Sequence, residues 1–320
     1  MSEILIITEK KDNSAFEVGL WLQVLNKKHY FLYYEDLSDF SLSINNEDVN
    51  TIVSINDRFI SGQTTIWHRR ASIKLFDFNT SLTPNERIYL KSEHDNLLWG
   101  LEDVFKVICK KYIGGYNQEI QNSKIKNNLL AVKFGFNVPS STVSNLKSKL
   151  TSKMSGVGKN KKRISKDLFR PVRINYEDYK KISAGTLIVK SNYLRKLAEH
   201  HFPIYLQKYI KKAFEIRTFY FEGKTYSMAI LSQSQKSSKI DFRNAKINEM
   251  PRCIPFKLET DIEIKIGKLM RCLGLKTGSI DFLVNSEGTL FFLEINPQGQ
   301  FDWLSKRCNY HIEREIALFL

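Results

Sequence analysis

Residues 3–8 (EILIIT) form a short apolar run of the kind found in strands buried on both faces. Apolar positions then recur at helical spacing over 15–28, through Phe16, Leu20 and Leu25, and a second extended run covers 29–34. Strand, helix, strand predicts a small α/β lobe with a parallel sheet, to which 51–55 and 64–68 add further strands. Thr83-Pro84-Asn85-Glu86 opens a long helix. Thr83 and Glu86 make a capping box, and Pro84 suits the first helical position. Leu97, Leu98, Leu101, Val104, Phe105 and Ile108 continue its apolar stripe until Gly114-Gly115 break the chain.

Beyond that break, 123–134 read as a helix ended by Gly135, and 138–143 as an extended segment that opens a new unit. TLIVK at 186–190 and IYLQKYI at 204–210 are strands. Two more, 216–222 and 225–231, join at Gly223-Lys224 in a hairpin. An amphipathic helix covers 260–273, a second hairpin pairs 279–285 with 289–295, and a closing helix at 309–320 places Ile312, Ile316 and Phe319 on one side. No internal repeat is visible. The run 147–166 (KSKLTSKMSGVGKNKKRISK) carries many basic residues, no acid and two glycines. It predicts a mobile solvated loop, a reading compatible with a cover over phosphates.

The 320 residues are enough for two or three packed lobes, and aromatics are plentiful, which excludes disorder of the whole chain. No apolar run approaches the length that spans a bilayer. The first residues lack the basic n-region of a signal peptide, so a cytoplasmic location is expected, with no membrane partner. Cys109, Cys253, Cys272 and Cys308 are widely spaced and form no CxxC pair, which reads as buried reduced thiols. A net charge of +15 draws polyanions without choosing between nucleic acid, nucleotide phosphates and acidic peptides.

The second hairpin carries the chemistry. If Glu287-Gly288 is a two-residue turn, Ser286 lies opposite Thr289, and counting back sets Asp281 against Glu294. Like charges so opposed repel. Alternation puts Asp281, Glu294 and Asn296 on one face and Ile280, Phe282, Val284, Phe291, Leu293 and Ile295 on the core face. An oxygen-only set of two carboxylates and an amide suits Mg²⁺, a hard cation that also binds phosphates. A solvent-facing hairpin with coincidental acids is the competing reading.

Asp281-Phe282 followed by Leu293-Glu294-Ile295-Asn296-Pro297 resembles the magnesium-binding end of the ATP-grasp ligases. Upstream, Lys124, Ala131, Gly135 and Val138-Pro139 resemble the start of that family's central domain. Ile164-Ser165-Lys166 resembles the strand that presents a lysine to the ATP phosphates, with Lys190 as its competitor. Leu206-Gln207-Lys208-Tyr209-Ile210 resembles the hinge strand that contacts adenine, Glu215-Ile216-Arg217 the acid and arginine after it, and Asp241-Phe242-Arg243-Asn244 a phosphate- and substrate-facing segment. Chain-wide, ILIITEK, Trp67-His68-Arg69-Arg70, SMAILSQ, IDFRN and INPQGQFDWLSKRCNYHIEREIA are similar to the grasp-with-spasm peptide maturases, relatives of the microviridin and other graspetide ligases. Asp302-Trp303 departs from that pattern, which usually has small residues there.

The resemblance implies an α/β (α+β) ATP-grasp fold, with a Rossmann-like pre-ATP-grasp lobe over 1–115, a central lobe over 116–205 and a C-terminal lobe over 206–320. It implies ATP and Mg²⁺ as cofactors: Lys124, Lys166, Gln207, Lys208, Tyr209, Ile210, Glu215 and Asn244 for the nucleotide, Asp281, Glu294 and Asn296 for the metal, Arg217 and Arg243 in catalysis. The implied partner is a ribosomal precursor peptide, leader plus acidic core, whose Asp or Glu side chains are phosphorylated and joined to Ser/Thr hydroxyls or Lys amines. A homodimer is the assembly it suggests.

Several residues keep blander readings. Arg217 alternates with Phe219 and Phe221 and points into the cleft with them, or else covers apolar surface with its stem. Arg69 and Arg70 face opposite sides of a strand, one of them structural. His200, His201 and His311 read as surface or packed histidines, since no HxxxH or HExxH accompanies them. No nucleophilic triad is present. Two rival functions stay open: an ATP-grasp ligase that adds amino acids to a small molecule or protein tail, and a non-catalytic nucleic-acid-binding protein. Against the latter, aromatics do not interleave with the basic run as a stacking platform requires.

Overall fold

The computed structural model describes residues 3–45, 50–70, 72–78, 81–153, 162–168, 173–175, 180–182, 186–232 and 251–320. The chain opens with β1 (Glu3–Thr8), α1 (Asn13–Val24) and β2 (His29–Tyr33), the expected strand–helix–strand unit. Next come β3 (Phe40–Asn45), β4 (Asn50–Ile55) and β5 (Arg58–Ile60), then β6 (Thr64–His68), the long helix α2 (Pro84–Ile108) and β7 (Lys111–Gly114). Parallel pairing gives the sheet order β2-β1-β6-β7. The 51–55 strand does not join it, contrary to expectation. β4 turns back on itself at Asn56-Asp57, both with positive φ, and pairs antiparallel with β3 and β5 in a sheet of its own. The capping box at Thr83/Glu86 is present.

The middle of the chain supplies α3 (Tyr116–Ile120), α4 (Lys124–Lys133), β8 (Ser141–Leu146), α5 (Lys147–Ser152), β9 (Arg163–Ser165), β10 (Arg173–Asn175), β11 (Lys180–Ile182), β12 (Leu187–Val189), α6 (Ser191–Arg195) and β13 (His200–Lys208). A second sheet runs β12-β9-β13-β8, so β13 extends past position 206 within it. The basic run is less loop-like at its ends than its composition suggests. Leu150 on α5 is fully buried against Val189, Leu194 and Leu206, and β9 is paired on both sides. Residues 154–161 of that run lie outside the described residues.

The third sheet is antiparallel and is built from β14 (Lys212–Phe221), β15 (Lys224–Leu231), β16 (Arg252–Phe256), β17 (Thr277–Asn285) and β18 (Leu290–Asn296) in the order β16-β15-β14-β17-β18. One face packs on α7 (Thr260–Cys272) through Ile266, Leu269 and Met270 against Ile216, Ile280, Phe282 and Phe292. The other face meets the first lobe. Phe219, Phe221 and Met228 share a core with Ile4, Ile6, Val18 and Trp67 and with α8 (Asp302–Cys308) and α9 (Ile312–Phe319). The 309–320 segment is thus a turn and a shorter helix, with Ile312 and Ile316 buried as predicted.

Both hairpins differ in detail from the sequence reading. The β14–β15 turn is Glu222-Gly223, both with positive φ, and Phe221 pairs with Lys224; two consecutive left-handed residues make the tight turn that fits sheet twist. In the β17–β18 hairpin the loop is Ser286 to Gly288, closed by Asn285 N–H to Thr289 O at 3.1 Å. That loop offsets the register by one, and a bulge at Leu293 restores it. The result is Asp281 opposite Glu294 as expected, but Phe292 rather than Phe291 or Leu293 in the core. Phe292 N–H donates to Asn137 O at 2.8 Å, which holds the bulge from the open side. Of the four free thiols only Cys308 is buried, so the expectation of buried cysteines is met in part.

Arg69 and Asp12 are the most enclosed ion pair between elements of the first lobe, 1 % and 3 % exposed. Arg69 Nε donates to Asp12 Oδ2 at 2.8 Å, and the guanidinium lies 5.2 Å from both the Trp67 and Phe301 rings. Burial works to raise the Asp12 carboxyl, but Arg69 and the Thr8 hydroxyl outweigh it and hold it below the usual range. Its contribution to stability is present above the unfolded carboxylate range, and is lost as pH falls through the depressed folded value. Asp12→Ala strands the guanidinium and should destabilise the fold by about 3–5 kcal/mol in urea unfolding, whereas the apolar pair Asp12→Leu/Arg69→Met should recover most of that loss.

Candidate active site

A row of charge crosses three strands of the third sheet. Arg217 on β14 pairs with Asp281 on β17, and Asp281 with Glu294 on β18. Arg217 NH1 donates to Asp281 Oδ1 at 3.0 Å, and Lys124 Nζ, at the first residue of α4, stands 3.5 Å from Glu294 Oε2. Each acid therefore has its own cation, which offsets the repulsion of like charges set directly opposite. The bulge at Leu293 is what makes this row possible. An unbroken alternation would put Glu294 on the same face as Phe292; the extra residue returns it to the face of Asp281.

Asn296 sits opposite Ser279, two positions along the same face. Its Oδ1 accepts the Gln298 N–H at 3.1 Å, so the amide shapes the turn into the 297–301 loop. Gln298, 2 % exposed, fastens that loop to the first lobe: Oε1 accepts from Arg70 N at 3.2 Å and Nε2 donates to Gly115 O at 2.9 Å. A Cβ on Gly299 would lie 2.3 Å from Ser279 Oγ and 3.2 Å from Arg217 NH2, so only glycine lets the loop lie on the arginine. Trp303 supplies another wall, with the Arg217 guanidinium 5.7 Å from its ring centroid. Trp303, where the sequence departs from the pattern of small residues, packs on this arginine. Phe219 and Phe221 share the face of Arg217 but are buried under Phe301 and Phe319 rather than in the cleft.

The strand predicted as a hinge leaves the second sheet and enters the third at 209–211. Gln207 pairs with Ser141 and Ile164; Lys208 N–H donates to Ser140 O at 2.8 Å and Tyr209 N–H to Lys162 O at 3.1 Å. Glu215, just beyond, accepts from Lys212 at 2.8 Å and Ser232 at 3.0 Å. Lys166 follows β9, and the carbonyl of its neighbour Asp167 accepts from Lys124 Nζ at 2.7 Å, so that end of β9 abuts the carboxylates. Lys190 lies past Val189, which pairs with Arg163, at the hinge end of the same ladder. Arg243 and Asn244 lie outside the described residues.

The sequence reading passed over Asn128 and Tyr205. Asn128 on α4 and Gln207 on β13 both donate to the Tyr205 hydroxyl, at 2.9 and 3.0 Å, while Asn128 Oδ1 and Gln207 Oε1 are buried without a hydrogen-bond partner. Burial pushes the Tyr205 hydroxyl up, so it stays neutral while it accepts both bonds. Their only sequence signal is polarity within apolar runs. Among the described residues no cluster of three His, Cys, Asp or Glu side chains forms a metal site, and no helix is long and apolar enough to cross a membrane.

No protein-family model matches the chain, and no curated protein sequence matches it. Solved structures do. A RiPP-associated ATP-grasp ligase of Chryseobacterium gregarium, in complex with ADP and a leader and core peptide, superposes with a TM-score of 0.85 at 24% identity over 100% of this chain and 96% of its own. The macrocyclase MdnC of Microcystis aeruginosa, bound with the precursor peptide MdnA, gives 0.78 at 22% identity over 99% of each chain. The ATP-grasp ligase PsnB, complexed with minimal precursor, Mg and ADP, gives 0.74 at 14% identity over 99% of this chain and 95% of its own. Together with the hinge that passes between the second and third sheets and the carboxylate row beyond it, these superpositions establish that the protein has the ATP-grasp fold.

Proposed function

We propose that the protein is an ATP- and Mg²⁺-dependent carboxylate ligase that crosslinks side chains of a ribosomal precursor peptide. The observation that carries this reading is the row Arg217–Asp281–Glu294–Lys124, two opposed carboxylates flanked by cations. The residues fit the implied groups. Asp281, Glu294 and the Asn296 carbonyl are hard oxygen donors on one face, and the buried acceptors on Gln207 and Asn128 await a donor such as an exocyclic amine. Support for the peptide substrate comes from the neighbours, whose structures are complexes with leader and core or precursor peptides.

In this reading the hinge residues Gln207 to Ile210 hold the purine. Lys208 and Tyr209 spend their N–H groups inside the protein, so the edge contact falls to Ile210 and to carbonyls. Lys190 stands at the hinge end of the β9 ladder and Lys166 at the end nearer the carboxylates, which supports a reading in which the two lysines serve different parts of the nucleotide. Asp281, Glu294 and Asn296 would hold the Mg²⁺, whose charge would offset that of the polyphosphate. Lys124 and Arg217 balance the acids beforehand and then turn to phosphate oxygens, where preorganised cations act on developing charge. Glu215 keeps Lys212 in place beneath the hinge.

The peptide's Asp or Glu carboxylate takes the γ-phosphoryl group and leaves ADP. A Ser/Thr hydroxyl or Lys amine then attacks the acyl carbon, loses its proton and expels inorganic phosphate, closing an ester or amide ring. The reading places the enzyme in the cytoplasm, where ATP and new peptides are found, and takes a homodimer as its assembly.

Incubation with ATP, Mg²⁺ and the peptide encoded in an adjacent reading frame should remove one water per ring, read by mass spectrometry; a gain of added residues would instead indicate a ligase that extends its substrate. Asp281→Asn and Glu294→Gln should each lower kcat by about 10²-fold or more without unfolding the chain, as measured by ADP release and circular dichroism. Gly299→Ala should displace Ser279 and Arg217, costing about 1–3 kcal/mol in denaturant unfolding, and Ser279→Gly in the same chain should recover part of that loss.

A further inference from the structure

The pair Arg69-Arg70 divides its labour in the structure. Arg69 is enclosed and bonded to Asp12, which makes it the structural member. Arg70 follows β6 at the carboxyl edge of the parallel sheet, the edge where open α/β sheets receive ligands. Its side chain is 33% exposed. Its backbone φ is 55°, a left-handed conformation that residues other than Gly, Asn, Asp and His seldom adopt. Such strain persists where the surroundings over-determine it, and it concentrates at binding sites.

The surroundings are the active-site loop itself. The Gln298 side chain accepts the Arg70 N–H at 3.2 Å, while the Gln298 backbone donates to Asn296 Oδ1 at 3.1 Å. The next residue, Gly299, is the one that lies on Arg217. One turn thus holds a proposed metal ligand, the central arginine and the strained backbone of Arg70. Glu9 Oε1 accepts from Arg70 Nε at 2.6 Å and fixes the plane of the fork; among the described residues nothing pairs with its two terminal nitrogens.

We infer that Arg70 binds the side-chain carboxylate of the peptide substrate, presenting it across the 297–301 loop to the nucleotide. A planar guanidinium with its Nε edge occupied and both terminal nitrogens free takes a carboxylate through two parallel hydrogen bonds. The left-handed backbone falls at the point where Gln298 of the 297–301 loop takes the Arg70 N–H. The inference rests on the ligase reading above.

The test compares full-length wild type with Arg70→Gly and Arg70→Lys, using a synthetic leader-plus-core peptide from the adjacent reading frame and a second peptide whose reacting Glu or Asp is changed to Gln or Asn. Glycine relieves the strained φ, so the melting temperature of Arg70→Gly should equal or exceed that of wild type. Its KM for the acidic peptide should rise at least about tenfold, the loss of one charge-assisted contact, with Mg–ADP affinity unchanged. Lysine should restore part of the affinity, since it keeps the charge without the fork. The amide peptide should bind wild type and Arg70→Gly alike. An unchanged KM in Arg70→Gly, or a melting temperature that falls along with activity, would overturn the assignment and leave the ligase reading standing. A wild-type enzyme that neither binds Mg–ADP nor modifies the peptide would overturn both.

Discussion

Two carboxylates facing each other across a β-ribbon are unstable neighbours, and much of this protein is arranged around that fact. Asp281 and Glu294 are directly opposed, on a face that is neither open solvent nor apolar core. Arg217 from a third strand and Lys124 from the start of a helix neutralise them. The arrangement has three supports: a bulge that turns Glu294 to the right face, a helix whose first residue reaches the ribbon, and a glycine that lets a loop close over the arginine. Such a cluster is costly for folding alone, and the proposed function gives that cost a reason.

The loop beyond the ribbon links this site to the rest of the molecule. Gln298 is bonded to the backbones of the β6 and β7 ends, and Ser14 on α1 accepts from the Phe301 and Asp302 N–H groups at 3.2 and 3.3 Å while its hydroxyl donates to Asp302 at 3.0 Å. Arg69 lies against Phe301 from below. The first lobe and the third sheet share one continuous core, so the 297–301 loop is seated on a rigid base. Positional accuracy of this kind is what phosphoryl transfer demands, since catalysis there comes from placement and electrostatics.

Much of this was legible in the sequence, in places through reasoning that was partly wrong. The opposition of Asp281 and Glu294 followed from an assumed two-residue turn; the real loop is longer and the bulge at Leu293 cancels the difference. Where no cancellation operates, toward the loop, Phe291 and Leu293 were placed in the core and Phe292 is there instead. A bulge leaves no mark in composition, and only the spacing Phe292 to Ile295, both buried, betrays it. Strands 51–55 misled because a short β-branched run does not state its partner; Asn56-Asp57, a tight-turn signal, did. The roles of Gln298, Asn128 and Tyr205 were not legible because they depend on contacts far apart in the chain. Arg243 and Asn244, read from resemblance, lie outside the described residues.

The central claim is that Asp281 and Glu294 share one divalent ion with a nucleotide. Titrating Mn²⁺, in place of Mg²⁺, into the enzyme with ADP and following the free ion by electron paramagnetic resonance addresses it directly. The account predicts tight, nucleotide-dependent Mn²⁺ binding in wild type and a loss of at least about tenfold in Asp281→Asn or Glu294→Gln, on the scale by which single metal-site groups alter affinity. Equal Mn²⁺ binding in all three proteins, or binding indifferent to nucleotide, would contradict it.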